Sequence, residues 1–404
     1  MTQTSNAPAP PQAPDRAKSD RIAQNRNRIV RLVVLALGLI IVTGIGLAHR
    51  FGVAVVGVDA LCPFGGIETL WSLILSMQIV KQVAVSSVIL LGLVVVIAVI
   101  FRRSFCGYIC PLGALQEFFG KIGKAIFRGK RPTVPAVIDK PARYIKYVVL
   151  VVFAVWTWQA ASLMIRPYDP WVAWMHLTSP EVLTEFWAGL IVLGVSLVGS
   201  IVYDRFFCKY LCPMGGFLGA ISRLSIFKVR RNESTCIDCK LCDKACPVNV
   251  TVSSVSVVND PECIDCSECV NVCPVKDTLE VSTSGWPSRG KALQPLVVLG
   301  IIVVLIAGVV GLTSATGTFA WKVPTLSETV EKSGGTVNVE EIRGSMTFAE
   351  ISKATGIPEV KFQEKFGVKP DEMKEKIKDL APVYDFDVET DVRGFITQEM
   401  DQTK

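Results

Sequence analysis

Eight cysteines fall into two runs of identical spacing, Cys236-x2-Cys239-x2-Cys242-x3-Cys246-Pro247 and Cys263-x2-Cys266-x2-Cys269-x3-Cys273-Pro274, offset by 27 residues. Thiolates are soft ligands, suited to zinc, Cu(I) and iron–sulfur clusters. This spacing, with proline after the fourth cysteine, is the run that holds two 4Fe–4S cubanes, in which the fourth cysteine ligates the other cluster. The expected sets are therefore Cys236, Cys239 and Cys242 with Cys273, and Cys263, Cys266 and Cys269 with Cys246. A pair of zinc ribbons would also use eight thiolates, but it has no need of regular spacing and Cys-Pro ends on both runs.

A second cysteine pattern precedes the first. Arg103-Ser-Phe-Cys106-Gly-Tyr-Ile-Cys110-Pro-Leu-Gly113 recurs as Arg205-Phe-Phe-Cys208-Lys-Tyr-Leu-Cys212-Pro-Met-Gly215, 102 residues later. Residues four apart share a helix face, so each pair presents two thiols side by side. Four thiols related by a repeat suit one shared metal centre, iron–sulfur or another. Two redox dithiols, Cu(I) sites and inert buried cysteines are the alternatives. Cys62, in Leu61-Cys62-Pro63-Phe64-Gly65-Gly66, echoes the Cys-Pro-x-Gly ending without the upstream cysteine. It reads first as a structural turn and second as an additional redox thiol.

Only two histidines are present, His49 and His176, which leaves little for a Cys/His zinc site or a multihaem protein. Both fall at the predicted outer edge of the bilayer. They read as interfacial polar residues in an aromatic belt, with a quinone headgroup site formed with Arg166 and Asp169 as the alternative.

The elements that must position these residues are membrane helices. Half of the 404 residues are hydrophobic, and mean hydropathy is +0.43. Stretches at 29–48, 83–101, 147–165, 187–203 and 293–315 are long enough to be read as spans. The Lys and Arg count in successive connections runs six, two, ten, one and eleven. By the positive-inside rule the N-terminus and both long basic connections face the cytoplasm, and the chain after the fifth span lies outside. The thirteen cysteines cluster as metal thiolates do, not as a secreted disulfide framework.

The expected fold is thus an α-helical membrane protein of about five transmembrane helices in two pseudo-symmetric halves. It carries a small α+β two-cluster ferredoxin insert and a small, mostly helical outer C-terminal module. The expected divisions are a disordered basic tail at 1–28, a four-span membrane domain at 29–228 and the cytoplasmic insert at 229–290. A fifth helix at 291–316 and an acidic periplasmic module at 317–404 follow. From 322 onward there are 17 acidic and 12 basic residues. Thr347-Phe-Ala-Glu350 is a capping box, Gly356 ends its helix, and further helices are expected at 359–366 and 370–379. The pattern from Phe348 to Gly367 suggests a helix-turn-helix, but its acidic balance opposes phosphate binding, so no nucleic-acid partner is expected.

Paired Cys-x3-Cys-Pro motifs at helix ends, followed by the two-cluster run, resemble the membrane polyferredoxins of the NapH, NosR and CcoG type. The resemblance covers about residues 29–290. Those proteins serve periplasmic nitrate reduction, nitrous oxide reduction and cytochrome oxidase assembly. The resemblance implies a membrane-bound electron-transfer subunit in the bacterial inner membrane, coupled to the quinone pool or to a periplasmic cytochrome or reductase. It also raises Cys62 as a functional thiol. The fifth span and the acidic module depart from the simplest four-span members. A copper-reducing or metal-handling assembly factor using the Cys-x3-Cys-Pro thiols is the second reading, and a redox sensor signalling through the C-terminal module is the third.

Overall fold

The computed structural model describes residues 14–51, 63–67, 70, 85–128, 134–160, 165–179, 181–283, 293–319 and 321. In the C-terminal region it describes 326, 330, 339, 342, 346–375 and 377–402. Helices lie over all five stretches read as spans: α1 (Pro14–Arg50), α2 (Val85–Phe101), α6 (Ile145–Ala160), α8 (Trp187–Val202) and α13 (Pro295–Ala315). Two of them, at residues 22–48 and 295–315, are long and apolar enough to cross a bilayer. α2 and α8 are apolar but shorter, about 24–26 Å at 1.5 Å per residue, against a hydrocarbon core of about 30 Å. Several of these helices leave large apolar side chains uncovered: Val151 on α6 is 59% exposed, Ile191 on α8 57% and Val304 on α13 70%. Helices clothed this way need an apolar surrounding or a partner.

Between the long helices lie the elements that carry the cysteines. Each Cys-x3-Cys-Pro motif forms one short helix and starts a second: α3 (Ser104–Tyr108) leads to α4 (Pro111–Ile126), and α9 (Phe206–Tyr210) leads to α10 (Pro213–Ile221). Proline at the first position of α4 and of α10 loses no bond, because that amide has no helical partner. The two halves interlock. α4 packs on α8, the helix before the second motif, and α10 packs on α2, the helix before the first. Between them, α5 (Ala136–Ala142) leads into α6, and α7 (Pro170–Met175) lies against α1.

The insert is built on a two-stranded antiparallel sheet, β1 (Phe227–Arg231) and β2 (Leu279–Thr283), with Val229 opposite Val281. Two short helices, α11 (Leu241–Ala245) and α12 (Glu268–Val272), each follow a left-handed residue, Lys240 and Ser267. The positive φ of Asp238 recurs at Asp265, so backbone and cysteines share the 27-residue repeat. The insert does not hang free of the helices. Val229, Val258 and Val281 share one core with Ile97, Phe101, Tyr108 and Leu218, and Phe101 stacks on Phe227 at 5.2 Å.

Two expectations change. Residues 14–28, expected to be disordered, are the start of α1; Gln24 donates to the Cys273 carbonyl at 3.0 Å, and this tertiary anchor orders a stretch whose composition alone reads as a tail. In the unit from Lys322 to Lys404, the Thr347–Glu350 capping box, the Gly356 stop and the helix Glu359–Phe366 stand as expected, around a core of Phe348, Phe362 and Phe366. Instead of a helix over 370–379 there is a 3-10 turn at Glu372–Lys374 and a helix at Ile377–Tyr384. The later start follows from Ile377, which is buried and donates its amide to Met346.

Candidate metal centres

The insert forms two pockets. One is lined by Cys236, Cys239, Cys242 and Cys273. The other is lined by Cys246, Cys263, Cys266 and Cys269. Each pocket therefore draws three cysteines from one run and one from the other. The left-handed residues allow this by turning the chain tightly around each pocket without glycine. Amides approach the sulfurs: Val250 N donates to Cys246 Sγ at 3.3 Å.

The two pockets differ in setting. At the first Cys239 is exposed, although burial pushes the Cys242 thiol up to about 11; at the second burial pushes the Cys263 thiol up to about 11 and the Cys266 thiol up to about 12, against the opposing pull of Arg102 and Arg31. A free thiolate is disfavoured there, so metal loading must release protons and is favoured by rising pH. Among the described residues no three His, Cys, Asp or Glu side chains converge as a single metal ion requires. A zinc ion, with Zn–S bonds of about 2.3 Å, draws its ligands to one point. A cubane spreads its iron atoms among separate thiolates, and four cysteines around a pocket fit that donor pattern.

The Cys-x3-Cys-Pro pairs also come together. Cys106 and Cys208 are buried, and Cys106, Cys110, Cys208 and Cys212 lie close enough to act on one another electrostatically. Burial raises the Cys106 thiol and pushes Cys110 up to about 12. Two donors address the sulfurs: Gln116 Nε2 meets Cys208 Sγ at 3.2 Å, and Gly215 N meets Cys212 Sγ at 3.3 Å. The same Gln116 accepts from Phe207 N at 3.0 Å, so one side chain of the first half fixes the start of the second motif.

This site abuts the insert's second pocket. A Cβ on Gly107, between Cys106 and Cys110, would stand 2.4 Å from the Ile264 carbonyl oxygen and 3.4 Å from Cys266 Cβ, so only glycine permits the approach. Tyr108 Oη donates to Ser267 Oγ at 3.0 Å beside it.

A network of buried ions surrounds the four thiols, and sequence reasoning assigned it no role. Glu117 accepts from Arg31 at 2.7 Å and from Arg205 at 2.9 Å. Burial raises the Glu117 carboxyl, but the two guanidinium groups outweigh it and hold the group at about 2. Arg31 also reaches Glu268 at 2.8 Å and the Gly107 carbonyl at 3.0 Å. Glu262 meets Arg103 at 3.4 Å and Lys146, while Asp139 meets Lys209 at 2.7 Å and Arg143 at 2.5 Å. The available signal was the arginine three residues before the first cysteine in both repeats.

The remaining candidates divide. Arg166 lies over the Phe186 ring at 5.6 Å and His176 stacks on the same ring at 4.6 Å, while Asp169 caps α7 by accepting from Trp171 N at 2.9 Å. Arg166 and His176 thus both contact the Phe186 ring. The His49 side chain and Cys62 lie outside the described residues.

Comparison with known proteins follows the same divisions. A family model described as a 4Fe-4S binding domain matches residues 83–133 and again 185–232, and one described as a 4Fe-4S dicluster domain matches residues 228–274. YccM of Escherichia coli, an electron transport protein by name, is 31% identical over 259 residues, which is 62% of this chain and 72% of YccM. An uncharacterized protein of Methanocaldococcus jannaschii is 32% identical over 197 residues, 48% of this chain and 75% of that one. The ferredoxin-type protein NapH of Escherichia coli is 24% identical over 148 residues, 36% of this chain and 48% of NapH. No solved structure is significantly similar.

Proposed function

The chain belongs to the membrane polyferredoxin family of the NapH and NosR type, and from that premise we propose that it is the iron–sulfur electron-transfer subunit of a respiratory membrane complex. The observation that carries this reading is that the eight cysteines of the two runs line two pockets, each drawing three from one run and one from the other. In this reading Cys236, Cys239, Cys242 and Cys273 hold one cubane, and Cys246, Cys263, Cys266 and Cys269 hold another. Cys106, Cys110, Cys208 and Cys212 hold a third metal centre, most simply iron–sulfur. Bound clusters supply one-electron carriers at these sites.

The protein's own groups hold the thiols in place, offer Gln116 and backbone amides to the sulfurs, and keep the ions of the surrounding network paired. All five apolar helices cross or enter the bacterial inner membrane, with the insert cytoplasmic and the acidic C-terminal module periplasmic. The alternation of basic connections supports that orientation, and the uncovered apolar faces of α6, α8 and α13 support membrane embedding. On the outer side Arg166, Asp169 and His176 bind a quinone headgroup, with the Phe186 ring in contact with Arg166 and with His176. A periplasmic cytochrome or reductase is the expected partner.

The test uses the full chain in lipid nanodiscs under anaerobic conditions. A quinol analogue should bleach the visible iron–sulfur absorbance. His176→Ala should slow that bleaching severalfold or more while leaving reduction by dithionite unchanged. A wild-type protein that responds to dithionite but never to quinol contradicts the quinone reading.

A further inference from the structure

Arg103 and Arg205 are repeat mates, and each is at most 1% exposed. Each stands beside the first cysteine of its own motif and also reaches across to the other. Arg205 Nη1 donates to the carbonyl of Cys106 at 2.6 Å, and Arg103 Nη2 reaches the carbonyl of Cys208 at 3.5 Å. The glycine that closes each motif makes room for the arginine of the other. A Cβ on Gly113 would stand 2.8 Å from Arg205 Nη1, and a Cβ on Gly215 would stand 2.7 Å from Arg103 Nη2. The pattern Arg-x2-Cys-x3-Cys-Pro-x-Gly is therefore two interlocking halves whose arginine and glycine act across the pseudo-symmetry axis.

Charge points the same way. Glu117, Glu262 and Asp139 are each shared by two cations, and Glu268, the second acid of Arg31, also meets Arg28 at 3.6 Å. Five cations buried to 1% exposure or less, Arg31, Arg103, Arg205, Lys146 and Lys209, face four acids, Glu117, Glu262, Asp139 and Glu268. With neutral thiols one positive charge of that set lacks a counter-charge, which is unfavourable. A metal core held by four thiolates is net negative and supplies the missing charge. Arg103 already interacts with Cys106, Cys208 and Cys212.

We propose that Arg103 and Arg205 form a reciprocal clamp that holds the two Cys-x3-Cys-Pro pairs at one metal centre and sets its potential by placing fixed positive charge beside it. The inference rests on the reading of those four cysteines as ligands of a shared centre. Lysine retains the charge but cannot present the planar fork that reaches a carbonyl and a carboxylate together.

The test is an EPR-monitored redox titration of the full-length protein, with iron counted in each variant. Arg205→Gln removes one positive charge and disfavours the more negative, reduced form. The equilibrium of this centre should move about tenfold toward oxidation, about 59 mV for a one-electron couple, with the insert's two couples unmoved. Arg205→Lys should recover most of that shift, and Arg103→Gln should repeat it from the other side. A centre that persists at an unchanged potential in both glutamine variants, or one lost equally in the lysine and glutamine variants, overturns the clamp. An iron count unchanged when all four cysteines are replaced removes the shared centre itself, which is a separate and distinguishable failure.

Discussion

Replacing Cys246 by Ala removes about four irons per chain, the content of one cubane, and the cluster lost is the one whose other ligands begin seventeen residues later. Cys246 ends the first run, yet it lines the pocket of Cys263, Cys266 and Cys269, while Cys236, Cys239 and Cys242 line the other pocket with Cys273. The crossing ties the two halves of the insert together, so the damage should travel along the fold instead of along the sequence. Iron and sulfide assays on the variant, with alkylation mapping by mass spectrometry, check this. Cys263, Cys266 and Cys269 should become reactive, while Cys236, Cys239 and Cys242 stay protected. Protection in the reverse order would show that each run holds its own cluster.

Glu117→Gln carries the second large effect. This carboxylate is the shared partner of Arg31 and Arg205, whose side chains are at most 1% exposed. Glutamine keeps the shape and loses the charge, leaving two buried guanidinium groups short of a counter-ion. Breaking a buried pair in this way costs about 3–5 kcal/mol, which is a large part of the stability of a typical domain.

The effect also has a pH signature. The folded carboxyl sits at about 2, below its ordinary 4.5. Its stabilisation, on the order of 3 kcal/mol by linkage, is complete above the unfolded value and is lost as pH falls from about 4 toward 2. Denaturation of the purified protein at pH 7 and pH 3 should show wild type losing stability toward the level of the variant. The variant itself should lose less over the same range. Equal losses in the two proteins would mean that Glu117 does not stabilise through its charge.

The parts that were readable beforehand are those encoded locally. Cysteine spacing points to two tetrads in the insert, because the ligand pattern of a two-cluster run lies within 38 residues, and the same cysteines line its two pockets. The 102-residue repeat points to a shared site for the Cys-x3-Cys-Pro pairs, whose thiols lie close enough to act on one another. Apolar runs located the helices, and Thr347 with Glu350 marked a helix start. The ion network escaped because its partners lie far apart in sequence: Arg31 meets Glu117 and Glu268, and Arg103 meets Glu262. No periodicity records such pairings. The glycines of the Cys-Pro-x-Gly endings looked like turn residues, whereas what they accommodate is an arginine from the opposite repeat. The helical start of α1 was hidden for a similar reason, since residues 14–28 are polar and basic and Gln24 meets a residue 249 positions away in the insert. Helix ends shifted where tertiary anchors such as Ile377 overrode local pattern.

As an iron–sulfur carrier the chain would hold a centre of its own at the Cys-x3-Cys-Pro pairs. The most direct measurement counts iron, acid-labile sulfide, copper and zinc in anaerobically purified wild type and in the Cys106→Ala/Cys208→Ala double variant. The expected wild-type content is about twelve irons and twelve sulfides per chain, and about eight of each in the variant, four per cubane, with neither copper nor zinc at stoichiometric level. Stoichiometric copper or zinc lost with the double substitution, while iron stays at about eight in both proteins, would contradict the account and place these thiols in metal handling or scaffolding.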